Sequence, residues 1–197
     1  FVAQPNYYPS KKMQRDLDCI GVNSRIYSRK SNHSIVTRYG LKKFEAISYE
    51  LNVHSEMFKK LLNEMGLYSG NKTRQKIHIP AWIKNGSKLV KRLFLAGFFG
   101  AEMSTPKNSS KTCFFCPTID QNKIEALRDN AREFLIELSL ILEEFGINNT
   151  TISEMDDFIN KYGEKTKRFR LIISGEDNML KLWRNIGFEY NEKRQKM

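Results

Sequence analysis

The sequence lacks any segment suited to a membrane or to export. Its longest apolar run extends from Leu93 to Ala101, far short of the ~20 residues that a membrane-spanning helix needs. The N-terminus carries polar residues and prolines where a signal peptide would have an apolar stretch. We therefore expect an intracellular, cytoplasmic protein that has no membrane partner.

Cysteine and histidine are scarce, with three of each in 197 residues. Cys113 and Cys116 lie in the apolar stretch CFFCPT without a second cysteine pair, so a zinc site is not expected. Residues three apart in a strand point to opposite faces, so these thiols would neither share a metal nor form an easy disulfide. We therefore expect reduced cysteines within the core.

Positive charge is in clear excess. Thirty-three Lys and Arg residues face 22 Asp and Glu residues, which gives a formal charge of +11. This excess favours a polyanionic partner such as nucleic acid, although a generally basic soluble protein would have the same composition. Forty per cent of the residues are apolar, which is enough to build a packed core.

The chain contains an internal repeat. The stretch RYGLKKFEAISYELNVHSEMFKKLLNEMG, residues 38–66, resembles KYGEKTKRFRLIISGEDNMLKLWRNIG, residues 161–187. Each has a Tyr-Gly turn, an alternating strand, a polar turn and an amphipathic helix that ends in glycine. An upstream helix ending at Gly21 likewise corresponds to one ending at Gly146, and all these glycines are natural helix stops. Chance similarity of strand-turn-helix units is the alternative explanation.

The second repeat is predicted to have the order α-β-β-α-β-β-α, and the first to be incomplete at its N-terminus. The predicted domains are the first repeat at residues 1–70, a connector at 71–86 and the complete repeat at 87–197. In the complete repeat we expect helices near residues 87–102, 123–146 and 177–187. We expect strands near residues 103–108, 112–121 and 167–174, with one further strand before the last of these. Residues 1–4 would be what remains of the second strand of the first repeat.

The helix that opens the complete repeat, KLVKRLFLAGFFGAE, is rich in small residues. Glycine inside a helix costs about 1 kcal/mol relative to alanine, so these positions need a reason. Close approach of a second helix is one reason, and close packing against a strand or loop of the same core is another. The small residues fall at i, i+4 spacing and are predicted to form one face: Ala96, Gly97, Gly100 and Ala101.

Glu102 ends this helix directly after the small residues. A carboxylate is unfavourable beside the terminal carbonyls of a helix unless a cation is near. Two such helices packed together would bring two carboxylates close, which a divalent metal between them would relieve. Glu143 and Glu144, near another helix end, show that the same placement can mean only solvent exposure.

The stretch LAGFFGAE, from Leu95 to Glu102, resembles the LAGLIDADG motif of homing endonucleases. It matches the L-A-G start and the acidic eighth position, whereas glycine and methionine replace the sixth and ninth residues. The segments PAWI, PTIDQNK, FGI, RLIISG and IGFEY follow the family pattern in order. The sequence of these segments is especially similar to that of archaeal endonucleases encoded within inteins or introns. Neither an N-terminal splicing nucleophile nor a C-terminal His-Asn end is found.

The resemblance implies an α+β fold of tandem αββαββα repeats, whose antiparallel sheets form a saddle over DNA. It implies a site-specific double-strand endonuclease in which the acid of each motif helix binds Mg²⁺, with Mn²⁺ as a substitute, and metal-activated water hydrolyses the phosphodiester. Only Glu102 of the acid pair is present in this sequence. We therefore expect a missing first motif helix, or a second copy of the chain, to complete the site. A catalytically degenerate nucleic-acid-binding protein or RNA maturase on the same scaffold is the alternative.

Three further residues are candidates for the catalytic site or its surroundings. Gln121 resembles the family's polar strand-end residue that helps to order water, and a simple strand-end cap is equally compatible. Lys165 and Lys42 hold the same place in the two repeats and would order solvent or contact phosphate. A solvated turn lysine is the alternative for each.

The strands predict a DNA-binding face in both repeats. Period-two alternation places one group of basic and aromatic residues together in SRIYSRK and another in KRFRLIIS. Arginines on such strands can read guanine edges in the major groove, while lysines neutralise phosphates. The predicted DNA-binding residues are Arg25, Tyr27, Arg29, Lys42, Lys107, Lys111, Lys123, Arg168 and Arg170.

Overall fold

A computed structural model describes residues 2–4, 7–37, 39–105, 107–110, 113–160 and 162–195. The chain divides into two compact units, residues 1–61 and 62–197. Residues 71–86, predicted to form a connector, lie within the second unit.

The first unit is built on a long antiparallel hairpin. Its elements are β1 (Val2–Gln4), α1 (Tyr7–Cys19), β2 (Ser24–Thr37), β3 (Gly40–Val53) and the first part of α2 (Glu56–Glu64), a helix that continues past the unit boundary at Leu61. The strand order is β1-β3-β2 with antiparallel neighbours. Pairing in the hairpin is continuous from Ser24 opposite Val53 to Thr37 opposite Gly40.

The second unit repeats this topology. Its elements are α3 (Ala81–Lys84), α4 (Lys88–Glu102), β4 (Thr118–Ile124), α5 (Arg128–Glu143), β5 (Thr151–Ile159), β6 (Lys165–Ile172), α6 (Glu176–Lys181) with a π-helical continuation (Leu182–Ile186), and α7 (Glu192–Gln195). The strand order β4-β6-β5 is again antiparallel. Each unit thus has a helix between its first two strands and a hairpin whose second strand is central. The predicted α+β class with antiparallel sheets is confirmed.

The predicted glycine stops end the main helices. Gly21, Gly66, Gly146 and Gly187 all have positive φ, between 75° and 83°, a conformation in which glycine has no steric penalty. Beyond Gly146 the amide of Ile147 donates to the carbonyl of Leu142 at 3.1 Å. This bond satisfies a carbonyl that the helix end leaves without an intrahelical partner.

Apolar side chains from α4, α5, β4 and β6 form one core in the second unit. The fully buried members include Leu95, Phe99, Leu138, Ile119 and Leu171. Alternate residues of β4 are buried, so one face of this sheet packs on the core and the other is available to solvent or a ligand. None of the described helices is both long and apolar enough to cross a membrane.

The predicted strands near 103–108 and 112–121 are largely wrong. Within the described residues of this stretch only two isolated bridges occur, Met103 with Ile119 and Asn108 with Phe114, before β4 begins at Thr118. Proline lacks the amide hydrogen that a strand ladder needs, and residues 104–117 include two prolines and the polar run NSSK. Core placement of the cysteine pair is also wrong, because Cys113 is exposed and Cys116 is partly exposed.

Candidate functional site

Helix α4 holds Glu102 at the edge of the second sheet. The Ser87 hydroxyl caps the start of the helix by accepting the Val90 amide at 3.4 Å. At the other end, Met103 is fully buried and bridges Ile119 of β4. Because Phe99 and Met103 on either side of it are buried in the core, the fold fixes the position of the Glu102 backbone.

The Glu102 carboxylate binds Lys72. The Lys72 ammonium donates to Oε1 at 2.8 Å and to Oε2 at 2.9 Å, and both side chains are about one-third exposed. The sequence indicated that a carboxylate at this helix end needs a cation, because the terminal carbonyls carry partial negative charge. In this structure the cation is a lysine of the chain itself.

A short turn, residues 71–75, presents Lys72. The Asn71 side chain accepts the Thr73 amide at 3.0 Å and caps the one-turn helix from Lys72 to Arg74. The Lys123 ammonium donates to the backbone carbonyls of both Lys72 and Gln75. Lys123 therefore holds this turn against β4.

Lys123 is not an exposed phosphate contact, so that prediction is wrong. Its side chain is fully buried, and burial, followed by the nearby charge of Lys72, lowers its pKa to about 8. Alternation in β4 turns Lys123 to the core side together with Ile119 and Gln121. A lysine in a short strand is expected to be solvated, whereas the position of Lys123 on the core face directs its ammonium to backbone carbonyls.

The small residues of α4 do not form one face toward a second helix. The Glu189 amide donates to the Ala96 carbonyl at 2.9 Å, and a Cβ built on Gly100 would lie 1.9 Å from the Glu189 carbonyl oxygen. Asn191 and Arg194 both donate to the Gly100 carbonyl. Ala96 and Gly100 therefore accommodate the C-terminal segment of the same unit, as the alternative interpretation of this face allowed.

Arg194 adds a second positive charge near the end of α4. Burial lowers its pKa, while the negative charge of Glu102 acts in the opposite direction. The Lys72 contact and this coupling both place positive charge near the acid. The pKa of Tyr68 is raised, chiefly by burial. The positive charge of Lys72 lowers this pKa, and the negative charge of Glu102 raises it.

The opposite side of α4 is open. A Cβ built on Gly97 would meet no described atom within 4 Å, and Ala101 is exposed. Leu93 and Leu89, one and two turns before Gly97, are 49% and 62% exposed. These four residues recur every fourth position, so they form an apolar stripe along one side of the helix, which we call the open stripe.

The described residues of this chain do not form a metal site by themselves. They contain no group of three or more His, Cys, Asp or Glu side chains that could hold an ion. Divalent magnesium and calcium prefer several oxygen ligands, and the one carboxylate at the end of α4 already binds Lys72. A second carboxylate would have to come from outside the described arrangement.

The two other predicted catalytic residues lie in different surroundings. Gln121 is buried, and its Oε1 has no hydrogen-bond partner among the described residues. Lys165 lies at the start of β6, where its ammonium is 3.0 Å from Asp157 and 3.6 Å from Glu125. Lys72, rather than Lys165 or Lys42, is the lysine that contacts Glu102.

The first sheet carries the predicted basic face. In the hairpin register, side chains at alternate positions share a face, and Lys42 stands opposite Ile35 on the same face as the residues of β2. Tyr7 of α1 contacts the ring of Tyr49 on the other face, so α1 leaves this face uncovered. All four predicted residues of this face are exposed: Arg25, Tyr27, Arg29 and Lys42.

The uncovered face of the second sheet is less basic. Arg168 and Arg170 share it with Asn122 and Asp120, their cross-strand partners on β4. Arg170 forms a two-point ion pair with Asp120, at 2.6 and 2.8 Å. Of the remaining predicted DNA contacts, Lys107 is exposed and Lys111 lies outside the described residues.

A sequence signal for Lys72 exists in the repeat. Lys72 stands six residues after the helix stop Gly66, and Lys193 stands six residues after the matching stop Gly187. Extending the repeat beyond these glycines would have paired the two lysines. Arg194 and Asp120 have no such signal, because their roles depend on contacts between distant elements.

The family profile described as LAGLIDADG-like domain matches residues 89–187. This chain belongs to the LAGLIDADG family. The match begins within α4, includes Glu102 and both hairpin strands of the second sheet, and ends at Gly187. Membership places the chain in a nuclease-like family.

Curated relatives are similar to almost all of this chain. A tRNA-splicing ligase RtcB of Pyrococcus furiosus is 36% identical over 94% of the chain and 18% of its own length. The protein of the same name from Methanopyrus kandleri is 34% identical with the same coverage. The DNA-directed RNA polymerase subunit Rpo1N of Methanocaldococcus jannaschii is 29% identical over 94% of the chain and 14% of its own length. The chain thus spans less than a fifth of these relatives, and no solved structure matches it.

Proposed function

We propose that this chain is part of a site-specific, double-strand DNA endonuclease that depends on a divalent metal ion. The observation that carries the proposal is the position of Glu102, which ends the motif helix and forms an ion pair with Lys72. The exposed basic face of the first sheet supports a polyanionic ligand, because such a face attracts phosphates.

The proposed metal is Mg²⁺, with Mn²⁺ as a substitute, held jointly by Glu102 and an acid from a second motif helix. When bound, such an ion activates water and stabilises charge on phosphate oxygens. Glu102 would supply one of the metal's oxygen ligands. Lys72 would hold that carboxylate in place before the ion arrives and would then remain as a cation beside the phosphate.

The open stripe of α4 supports the need for a second helix. Gly97 and Ala101 allow close backbone approach, and the two exposed leucines supply apolar area that water disfavours. We propose that a motif helix from elsewhere in the same protein, or from a second copy of this chain, packs here and brings its own acid next to Glu102.

This part of the proposal predicts a steep concentration dependence. If the isolated chain must pair through the open stripe, cleavage should rise more than linearly with chain concentration. Analytical ultracentrifugation on the same samples would relate activity to dimer content. Efficient cleavage by a chain that remains monomeric would show that a second copy is not needed.

The relatives support an inserted mobile element as the origin of the chain. The same stretch matches proteins named as a tRNA-splicing ligase and as a DNA-directed RNA polymerase subunit, and it accounts for less than a fifth of the length of each. A segment that recurs as a small part of differently named proteins is expected if it inserts as a unit. We therefore propose that this endonuclease is of the kind encoded within archaeal inteins or introns.

The role of Glu102 is tested by Glu102→Gln, which removes the charge and retains the shape. We expect cleavage of duplex DNA in Mg²⁺ to be lost and DNA affinity to be retained, because the acid holds the metal rather than the DNA. Glu143→Gln is the matched control, since Glu143 is an exposed glutamate at the end of α5. Full cleavage by Glu102→Gln would refute the assignment, and a preference for structured RNA over duplex DNA would favour the maturase alternative.

A further inference from the structure

The ion pair between Asp120 and Arg170 joins two neighbouring strands on the uncovered face of the second sheet. Asp120 of β4 stands directly opposite Arg170 of β6. The Arg170 Nε lies 2.6 Å from Oδ1, and Nη2 lies 2.8 Å from Oδ2. Both side chains are about 30% exposed, so the pair can be reached from solvent.

This geometry leaves a defined set of donors on Arg170. A guanidinium has five N–H groups in one plane, and the side-on contact uses the one on Nε and one on Nη2. The second N–H on Nη2 and one N–H on Nη1 remain parallel on the end edge, while the other N–H on Nη1 points back toward the Cδ side. Two parallel donors on one edge match the O6 and N7 acceptors that guanine presents in the major groove.

The charge balance argues against a phosphate contact. The carboxylate of Asp120 cancels the charge of Arg170 and would itself be repelled by a phosphate. A neutral pair adds little to non-specific attraction, which depends on net positive charge. Asp120 instead contributes to specificity, because it holds the planar guanidinium of Arg170 in one orientation before a ligand binds.

Arg168 provides a contrast on the same strand and the same face. It stands opposite Asn122 of β4 and Met155 of β5 rather than an acid. Its Nε is buried and has no hydrogen-bond partner among the described residues. The two arginines therefore share a face and a charge but differ in whether a carboxylate orients them.

We propose that Arg170 reads a guanine in the major groove of the target and that Asp120 is its positioning residue. This inference rests on the proposed DNA-binding function. It goes further in assigning one base, one reading residue and one residue that acts through it.

Site selection tests the inference without requiring cleavage. The full chain would be incubated with a random duplex library in Ca²⁺, and bound sequences would be recovered for the unaltered chain and for Arg170→Lys, Asp120→Asn and Arg168→Lys. We expect Arg170→Lys and Asp120→Asn to lose preference for a G·C pair at the same single position, by about tenfold. Asp120→Asn should bind DNA in general at least as tightly, since a negative charge is removed. Arg168→Lys should leave that position unchanged.

Several outcomes would overturn the inference. If neither Asp120→Asn nor Arg170→Lys alters any base preference while thermal unfolding shifts downward, the pair is only a structural cross-strand ion pair. If Asp120→Asn and Arg170→Lys affect different positions, Asp120 does not act through Arg170. If the unaltered chain binds duplex with no preferred sequence, the inference fails while DNA binding stands; if it binds no duplex at all, the proposed function fails as well.

Discussion

The two glycines of the motif helix should respond in opposite directions to the same substitution. Gly97 and Gly100 lie one turn apart in α4, so Gly→Ala changes helix propensity equally at both. Their surroundings differ: a Cβ at Gly97 meets open space, whereas one at Gly100 would lie 1.9 Å from the backbone oxygen of Glu189. The pair of variants therefore separates helix propensity from packing.

The expected magnitudes follow from these surroundings. Alanine in place of an interior helical glycine stabilises by up to about 1 kcal/mol, and Gly97→Ala should gain most of this. At Gly100 the added methyl must displace backbone, and overpacking typically costs about 1–3 kcal/mol. The shift also endangers the hydrogen bond from Glu189 to Ala96, for which about 1 kcal/mol is typical. We expect a net loss of about 2 kcal/mol in the free energy of unfolding for Gly100→Ala.

Urea unfolding followed by circular dichroism would measure both changes. The slope of the free energy against urea should stay constant, so that the midpoint alone reports stability. Loss of stability in Gly97→Ala comparable to that in Gly100→Ala would refute the separation of the two sides of α4. A second readout concerns pairing: Gly97→Ala should weaken self-association despite its greater stability, because the methyl group enters the open stripe.

Two other predictions concern the lysines around Glu102. The pKa of Lys123 in the folded state is about 8, below the ordinary 10.5, so the folded chain binds fewer protons between these values. Stability should therefore rise as pH increases from about 8 to about 10.5, and Lys123→Met should lack that rise in urea titrations across this range; an identical pH profile for the variant would contradict the burial argument. Lys72→Met should lower the free energy of unfolding by less than about 1 kcal/mol, because the ion pair is partly exposed, yet slow cleavage strongly without weakening DNA binding; unchanged cleavage kinetics would remove Lys72 from the site.

The parts of the fold that could be predicted from sequence are those that local chemistry determines. Gly66 and Gly187 end helices because glycine adopts positive φ without strain, and this holds wherever the helix packs. Alternation placed Arg25 and Arg29 on one face of β2 for a similar reason, since side chains on a strand alternate in any sheet. The matching strand orders of the two units show that the repeat was a structural one.

The parts that were missed depend on contacts between distant elements. Lys72 and Glu102 are 30 residues apart, and nothing local to either one indicates the other. The sequence predicts an exposed Lys123 because charge normally stays in water, whereas its two carbonyl acceptors are in place only once the turn at residues 71–75 has folded over β4. Similarly, the sequence shows that Gly97 and Gly100 are small but not which one faces the chain's own C-terminal segment.

The central claim is that Glu102, at the end of α4, is an active-site acid of an endonuclease that cuts DNA at one sequence. The most direct measurement is selection from a random duplex library by the full chain at high concentration, with bound molecules recovered in Ca²⁺ and cut ends mapped in Mg²⁺. The account predicts one recurrent sequence in both experiments, with cuts on both strands inside it. Cut ends scattered over unrelated sequences, or a bound sequence that is never cut in Mg²⁺, would contradict it.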